Sequence, residues 1–195
     1  MLSQIRVVGF AGSLRQQSYN RALLRAALEL LPEGMDLEIV ELADLPLFSE
    51  DQELPPPAPV QVFCQNIRQA DALLIATPEY NYSFSGVLKN AIDWASRPPG
   101  HGAMQGKPTA IMGCSIGRFG TVRAQLALRQ TLLYLNVPAV MLPEVLVTNA
   151  AERFDSEGRL RDERTRKQVA ELLIALTELV NVTRKRATGD LAHTI

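Results

Sequence analysis

The sequence predicts an α/β fold: a doubly wound, five-stranded parallel sheet in the order 2-1-3-4-5 with helices on both faces. Three observations carry this. Short apolar runs alternate five times with stretches of helical period, the pattern of parallel strands joined by right-handed crossovers. The runs are continuous where a half-exposed strand would alternate; Ala72-Leu73-Leu74-Ile75-Ala76 is the clearest, and such runs are covered on both faces. The turns after the first and third runs are long and polar. Ligands sit outside the carboxyl ends of such strands, and bringing these two turns together makes strands one and three neighbours.

Taken in order, Ile5–Ala11 is the first strand and Gly12–Gln17 its turn. Leu23, Leu24, Ala27, Leu28 and Leu31 then keep helical spacing until Pro32 and Gly34 end it. Leu37–Leu42 alternates, which fits a strand nearer the sheet edge. Residues 43–59 form a proline-rich loop, long enough to imply a functional or interface role. Val60–Gln69 is a short amphipathic helix leading into the central strand. Pro78 stops that strand, because it lacks a backbone donor and turns Thr77 away from helical geometry. From Ser85, the positions Val87, Leu88, Ala91, Ile92 and Ala95 make one face of a helix, with Trp94 in the core.

After the loop at Arg97–Gly100, Thr109–Gly113 is the fourth strand and Cys114–Gly120 a glycine-bearing turn. The helix at 121–135 is apolar on more than one face, which predicts burial on two sides, one in the core and one in a subunit interface. Val137–Leu142 with Val145–Val147 supplies the last strand, and Val169 to Val180 marks a closing helix. Residues 1–183 are expected to be one domain, with 184–195 a mobile tail.

Composition narrows the classes of function. The chain has 195 residues, 47% of them hydrophobic, enough for one α/β domain with a sizeable core. A net charge of −1 gives no overall field to draw nucleic acid or an anionic membrane. There is no signal-peptide pattern and no apolar run of membrane length, so a cytoplasmic location is expected. Cys64 and Cys114 read as separate buried thiols, and neither they nor His101 and His193 have metal-ligand spacing.

The chemistry lies in the turns. In the first, Ser13, Ser18 and Asn20 are short hydrogen-bonding side chains, Arg15 is a fork of donors, and the helix starting near Ser18 offers free amides. Together they suit a phosphate; the bland reading is an ordinary loop with a serine cap. Neither a Gly-x-Gly-x-x-Gly nor a Walker sequence is present. In the second, Pro78–Ser83, Tyr80 and Tyr82 offer aromatic cover while Asn81 and the loop amides offer polar contacts, as the rim of a flat ring system requires. Glu79 reads as a structural carboxylate pairing Arg97 or Lys89. In the third, Gly117 and Gly120 permit close approach of a ring edge, and Arg118 reads as a solvated surface residue.

Gly12-Ser13-Leu14-Arg15 with Ser18 and Asn20, then Pro78-Glu79-Tyr80-Asn81 and Leu88-Lys89-Asn90-Ala91-Ile92-Asp93-Trp94, resemble the NADPH-dependent FMN reductase family over roughly residues 5–150. The resemblance implies a flavodoxin-like fold and FMN as cofactor. It implies that Ser13, Leu14, Arg15, Ser18, Tyr19 and Asn20 hold the phosphate, and that Pro78, Glu79, Tyr80 and Asn81 with Ser115 and Gly117 hold the ring. It also implies dimers or tetramers with the flavin near the interface. Thr121 departs from the family pattern, which often has a further glycine there, and so bears on the nicotinamide side. The expected activity is hydride transfer from NADPH or NADH to the flavin, then two electrons to a quinone, azo, nitro or metal-oxyanion acceptor. No catalytic side chain is needed. One alternative is a reductase that releases reduced FMN as product. A second is a flavodoxin-type electron carrier, disfavoured by the near-neutral charge. A third is a receiver-type signalling domain, whose acids are missing after strands one and three, where Gly12-Ser13 and Pro78-Glu79 stand.

Overall fold

A computed structural model describes residues 4–188. Its strands are β1 (Ile5–Ala11), β2 (Met35–Ile39), β3 (Ala72–Ala76), β4 (Thr109–Cys114) and β5 (Val145–Val147). Its helices are α1 (Tyr19–Ala27), α2 (Ala58–Gln69), α3 (Gly86–Ala95), α4 (Val122–Tyr134) and α5 (Glu163–Thr188). The sheet order is β2-β1-β3-β4-β5 and every pairing is parallel, so the expected fold class is borne out.

The continuous apolar runs are explained by two cores, one on each face of the sheet. Val7, Leu74 and Met112 point to the side covered by α1 and α5, against Leu23, Leu24, Leu172 and Leu176. Their neighbours Val8, Leu73, Ile75 and Ile111 point to the other side, against Phe63 and Ile67 of α2, Leu88 and Trp94 of α3, and Leu128 and Leu132 of α4. All five residues of β3 are buried, so both sides of its pleat must be apolar.

Several boundaries differ from expectation. Strand β2 begins at Met35, directly after Gly34 (φ +80°), and pairing ends at Ile39, so Leu42 is buried by the following loop. Val137–Leu142 does not join the last strand. Pro138 has no N–H to give, and that stretch makes only an isolated bridge, Thr109 to Ala139, before β5 takes over. The closing helix starts at Glu163 and runs to Thr188, five residues into the expected tail, with Arg184 paired to Asp71 at 2.7 Å. The rest of that tail, including His193, lies outside the described residues. On α4 the residues Ala124, Leu128 and Leu132 are buried, while Leu126, Leu133 and Tyr134 are exposed, so the second apolar face is uncovered in the single chain.

Both cysteines are free and buried, as expected, and burial pushes both thiols up from their usual range. Among the described residues, no helix is long and apolar enough to cross a membrane.

Candidate functional site

The turns after β1, β3 and β4 leave the carboxyl end of the sheet side by side. Ala11 and Ala76 are paired across β1 and β3, and the Gly12 amide continues that ladder by donating to Ala76 O at 2.9 Å. Ser85 stitches the two turns together. Its hydroxyl donates to Gly12 O at 2.6 Å and accepts from Leu88 N at 3.1 Å, capping α3 in the same gesture. The approach is close enough that a Cβ at Gly12 would lie 2.8 Å from Ser85 Oγ and 3.1 Å from Pro78 Cδ. Only glycine fits that seam.

The first turn keeps its donors open. Among the described residues, no backbone group accepts from the amides of residues 13–17, while Ser18 N returns to Arg15 O at 3.1 Å. Ser18 caps α1, accepting from Arg21 N, so its expected role as a helix cap is visible. Ser13 is buried; Leu14 and Arg15 are exposed. The Arg15 guanidinium lies 5.4 Å from the centre of the Tyr19 ring, which itself stacks on Phe154 at 5.4 Å. Arg15 is also near enough to Cys114 that its charge partly offsets the burial that raises that thiol.

Asn20 is placed differently from the rest of the set. Its Nδ2 donates to Cys114 O at 3.0 Å and its Oδ1 accepts from Cys114 N at 2.9 Å, all of it buried. The residue is a strut that bolts the start of α1 to the end of β4, and its chemistry toward a ligand is largely used up.

The loop after β3 is tied down by its one charge. Glu79 is a structural carboxylate, as expected, but its partner is neither Arg97 nor Lys89. Arg97 pairs with Glu50 and Glu53, and Lys89 with Asp93. The Glu79 side chain, 7% exposed, pairs with the Arg123 guanidinium and accepts from Arg123 N at 3.0 Å and Ala124 N at 3.2 Å. It therefore caps α4 from another loop, where a negative charge at a helix start is favoured. In return the hydrogen bond that Arg123 donates to Glu79 holds its guanidinium above its usual range. Pro78 is buried, Tyr80 and Asn81 are exposed, and among the described residues the Asn81 side chain has no hydrogen-bond partner.

The third turn closes the crevice. Ser115 Oγ accepts from Gly117 N at 3.1 Å, and Ser115 O accepts from Ala150 N at 3.0 Å. Thr121 is fully buried, and its hydroxyl accepts from Gln125 Nε2 at 3.1 Å. A Cβ on Gly113 would overlap it, so the threonine occupies core space beneath the turn.

The sequence reading missed several residues that build the site. Arg123 stands on a helix whose pattern shows only its apolar faces, and nothing in its spacing points to Glu79. Ser85 was legible in principle, as a serine three residues before a core leucine. Asn90 anchors the proline-rich loop, accepting from Phe48 N at 2.8 Å and donating to Pro46 O at 2.9 Å, with Trp94 Nε1 donating to the same carbonyl. That loop and the Arg97 loop meet each other around a cavity of about 530 Å³ at the far end of α3 from Ser85.

The model of the family described as NADPH-dependent FMN reductase matches residues 5–152, spanning all three turns. The chain belongs to this family. Among curated relatives of this FMN reductase family, the chain is 52% identical to an NAD(P)H-dependent FMN reductase of Pseudomonas aeruginosa over 177 residues, 90% of this chain and 95% of that one. It is 47% identical to a quinone reductase of Pseudomonas putida, over 83% and 88% of the two chains. Among solved structures, the flavoenzyme NAD(P)H:(acceptor) oxidoreductase FerB of Paracoccus denitrificans superimposes with a TM-score of 0.84 at 33% identity, covering 92% of this chain and 98% of that one. An archaeal flavodoxin, at 13% identity and a TM-score of 0.60, shares the fold.

Proposed function

We propose that the protein is an FMN-dependent NAD(P)H oxidoreductase that delivers two electrons to a small acceptor of the quinone class. The observation that carries this is the pairing of two unlike surfaces across one seam: the open amides of residues 13–17 with exposed Arg15, and the loop of Pro78, Glu79, Tyr80 and Asn81. A row of unpaired amides at a helix start favours a phosphate. An apolar proline, an exposed tyrosine and an unpartnered carboxamide favour a planar, polar-edged ring.

FMN fits this donor set and, when bound, supplies the two-electron chemistry. The chain does the rest. The amides of residues 13–17, the Arg15 guanidinium and the Ser13 and Ser18 hydroxyls bind the phosphate, with the Tyr19 ring backing Arg15. Leu14 supplies apolar cover. Pro78–Asn81 orient the ring from one side and the Ser115–Gly117 turn from the other. Asn20 and Glu79 hold these segments in place. No side chain is asked to move a proton.

The relatives named as quinone reductases support the acceptor class; azo, nitro and metal-oxyanion acceptors are the comparison panel. The exposed Leu126, Leu133 and Tyr134 on α4 support self-association, as a dimer or tetramer, readable by light scattering. Free buried thiols support a cytoplasmic setting. Purified protein is expected to be yellow, to keep FMN through gel filtration, and to bleach with NADPH or NADH under nitrogen. FMN lost on the column marks a reductase that releases its flavin. A colourless protein that takes up no FMN ends the proposal.

A further inference from the structure

The tip of the loop after β3 is held in a backbone conformation that its own sequence resists. Tyr80 and Ser83 exchange both backbone hydrogen bonds, at 2.9 and 3.0 Å, and close a two-residue turn. Its central residues, Asn81 and Tyr82, have φ of 48° and 72°. Turns of this kind need positive φ at both positions, and asparagine followed by glycine is the usual solution. Asparagine tolerates the first position. Tyrosine at the second is strained, and such strain persists only where the surroundings over-determine it.

The surroundings here are specific. Tyr82 is 72% exposed, so core burial does not hold it. What touches it is Arg123, whose guanidinium lies 4.3 Å from the Tyr82 ring centre and 4.7 Å from that of Phe119. Glu79 holds the same guanidinium by an ion pair and also accepts from the backbone amides of Arg123 and Ala124. Three elements thus meet on one flat cation: the loop after β3 through Glu79 and Tyr82, the turn after β4 through Phe119, and the first turn of α4 through Arg123 itself.

We propose that Arg123 is a positioning residue, which holds Tyr82 in its left-handed conformation by stacking on its ring and so presets Asn81 and the neighbouring amides for the planar ring of the bound cofactor. The inference rests on the FMN reading above for what the loop receives, but not for how the loop is held. A charge already paired with Glu79 and stacked beside two rings serves as a clamp; it is not a free seat for an incoming anion. Without the clamp the loop spends most of its time out of the binding-competent shape, and apparent affinity falls by the fraction of time it is competent.

The test is a set of apoproteins titrated with FMN by flavin fluorescence: the unaltered chain, Arg123→Ala, Arg123→Lys, Tyr82→Gly, and Arg123→Ala combined with Tyr82→Gly. Arg123→Ala is expected to weaken binding about tenfold, the scale of a left-handed penalty on a side-chain-bearing residue. Arg123→Lys keeps the Glu79 pair but loses the flat stack, and is expected to fall close to the alanine variant. Glycine takes positive φ at no steric cost, so the double variant is expected to bind within about twofold of Tyr82→Gly alone. Full affinity in Arg123→Ala overturns the proposal, and so does a double variant in which the two losses simply multiply. Hydrogen exchange over residues 77–85 gives a readout that needs no flavin. The Ser83 amide should lose protection in Arg123→Ala and keep it in the unaltered chain. If the unaltered chain binds no FMN yet shows that contrast, the clamp stands and the flavin reading falls; unchanged protection in Arg123→Ala sinks the clamp.

Discussion

The turn after β1 and the loop after β3 flank the same crevice, yet they spend their polar groups in opposite ways. The first leaves the amides of residues 13–17 without a partner among the described residues, and Arg15 exposed. The second pairs its only carboxylate with Arg123, closes Tyr80 on Ser83 and stacks Tyr82 under a guanidinium. A charged, freely rotating phosphate needs unfilled donors and tolerates approximate placement. A flat ring needs a wall whose shape is settled before it arrives, because ordering a loop at the moment of binding subtracts from affinity.

This contrast can be broken at its joints. The largest effect is expected for Asn20→Ala, which strands the buried N–H and C=O of Cys114 and costs about 2–5 kcal/mol, seen as a fall in Tm of roughly 5–15 °C. Gly12→Ala presses a methyl against Ser85 and Pro78. It should cost about 1–3 kcal/mol by denaturant unfolding and weaken FMN binding as the two segments separate. Arg15→Ala probes the open side alone: Tm should stay within a degree or two, while FMN affinity drops about tenfold through loss of a charge-assisted contact.

The smallest effect lies outside the crevice. The Thr165 hydroxyl and amide, with Arg153, hold the Asp162 carboxyl below the usual range. A carboxyl depressed in the folded state contributes fully above its unfolded value of about 4 and loses that contribution as pH falls through the folded one. Stability should therefore decline in acid below about pH 4. Asp162→Asn should flatten that limb in pH-dependent melting, with FMN affinity at neutral pH unchanged.

Much of this was legible because the relevant signals are local. Continuous apolar runs announced strands buried on both faces, Pro78 announced the end of β3, and Gly12 announced the turn that leaves β1. The helix start after β1 was legible at Ser18, which caps α1 by accepting from Arg21 N, since caps follow from the chain alone. The ring side was half legible. Glu79 was recognisable as structural, but its partner lies 44 positions away on a helix whose pattern advertises only hydrophobicity. Asn20 looked like a ligand residue because a polar side chain beside a turn looks the same whether it faces outward or reaches across to β4. The stretch at 137–142 has strand-like composition, and pairing there was lost to Pro138 and to competition from β5.

Helix α3 carries a mechanical consequence. One end of the rod, Ser85, grips the floor of the crevice, and about one and a half to two and a half turns further on Asn90 and Trp94 grip residues 46–48 of the proline-rich loop. A helix this short barely bends, so it behaves as a stiff lever with a hand at each end. Any neighbour leaning on the outer loop pushes on the same beam that sets the spacing between the two gripping segments, and the tightness of the grip becomes sensitive to events well outside it.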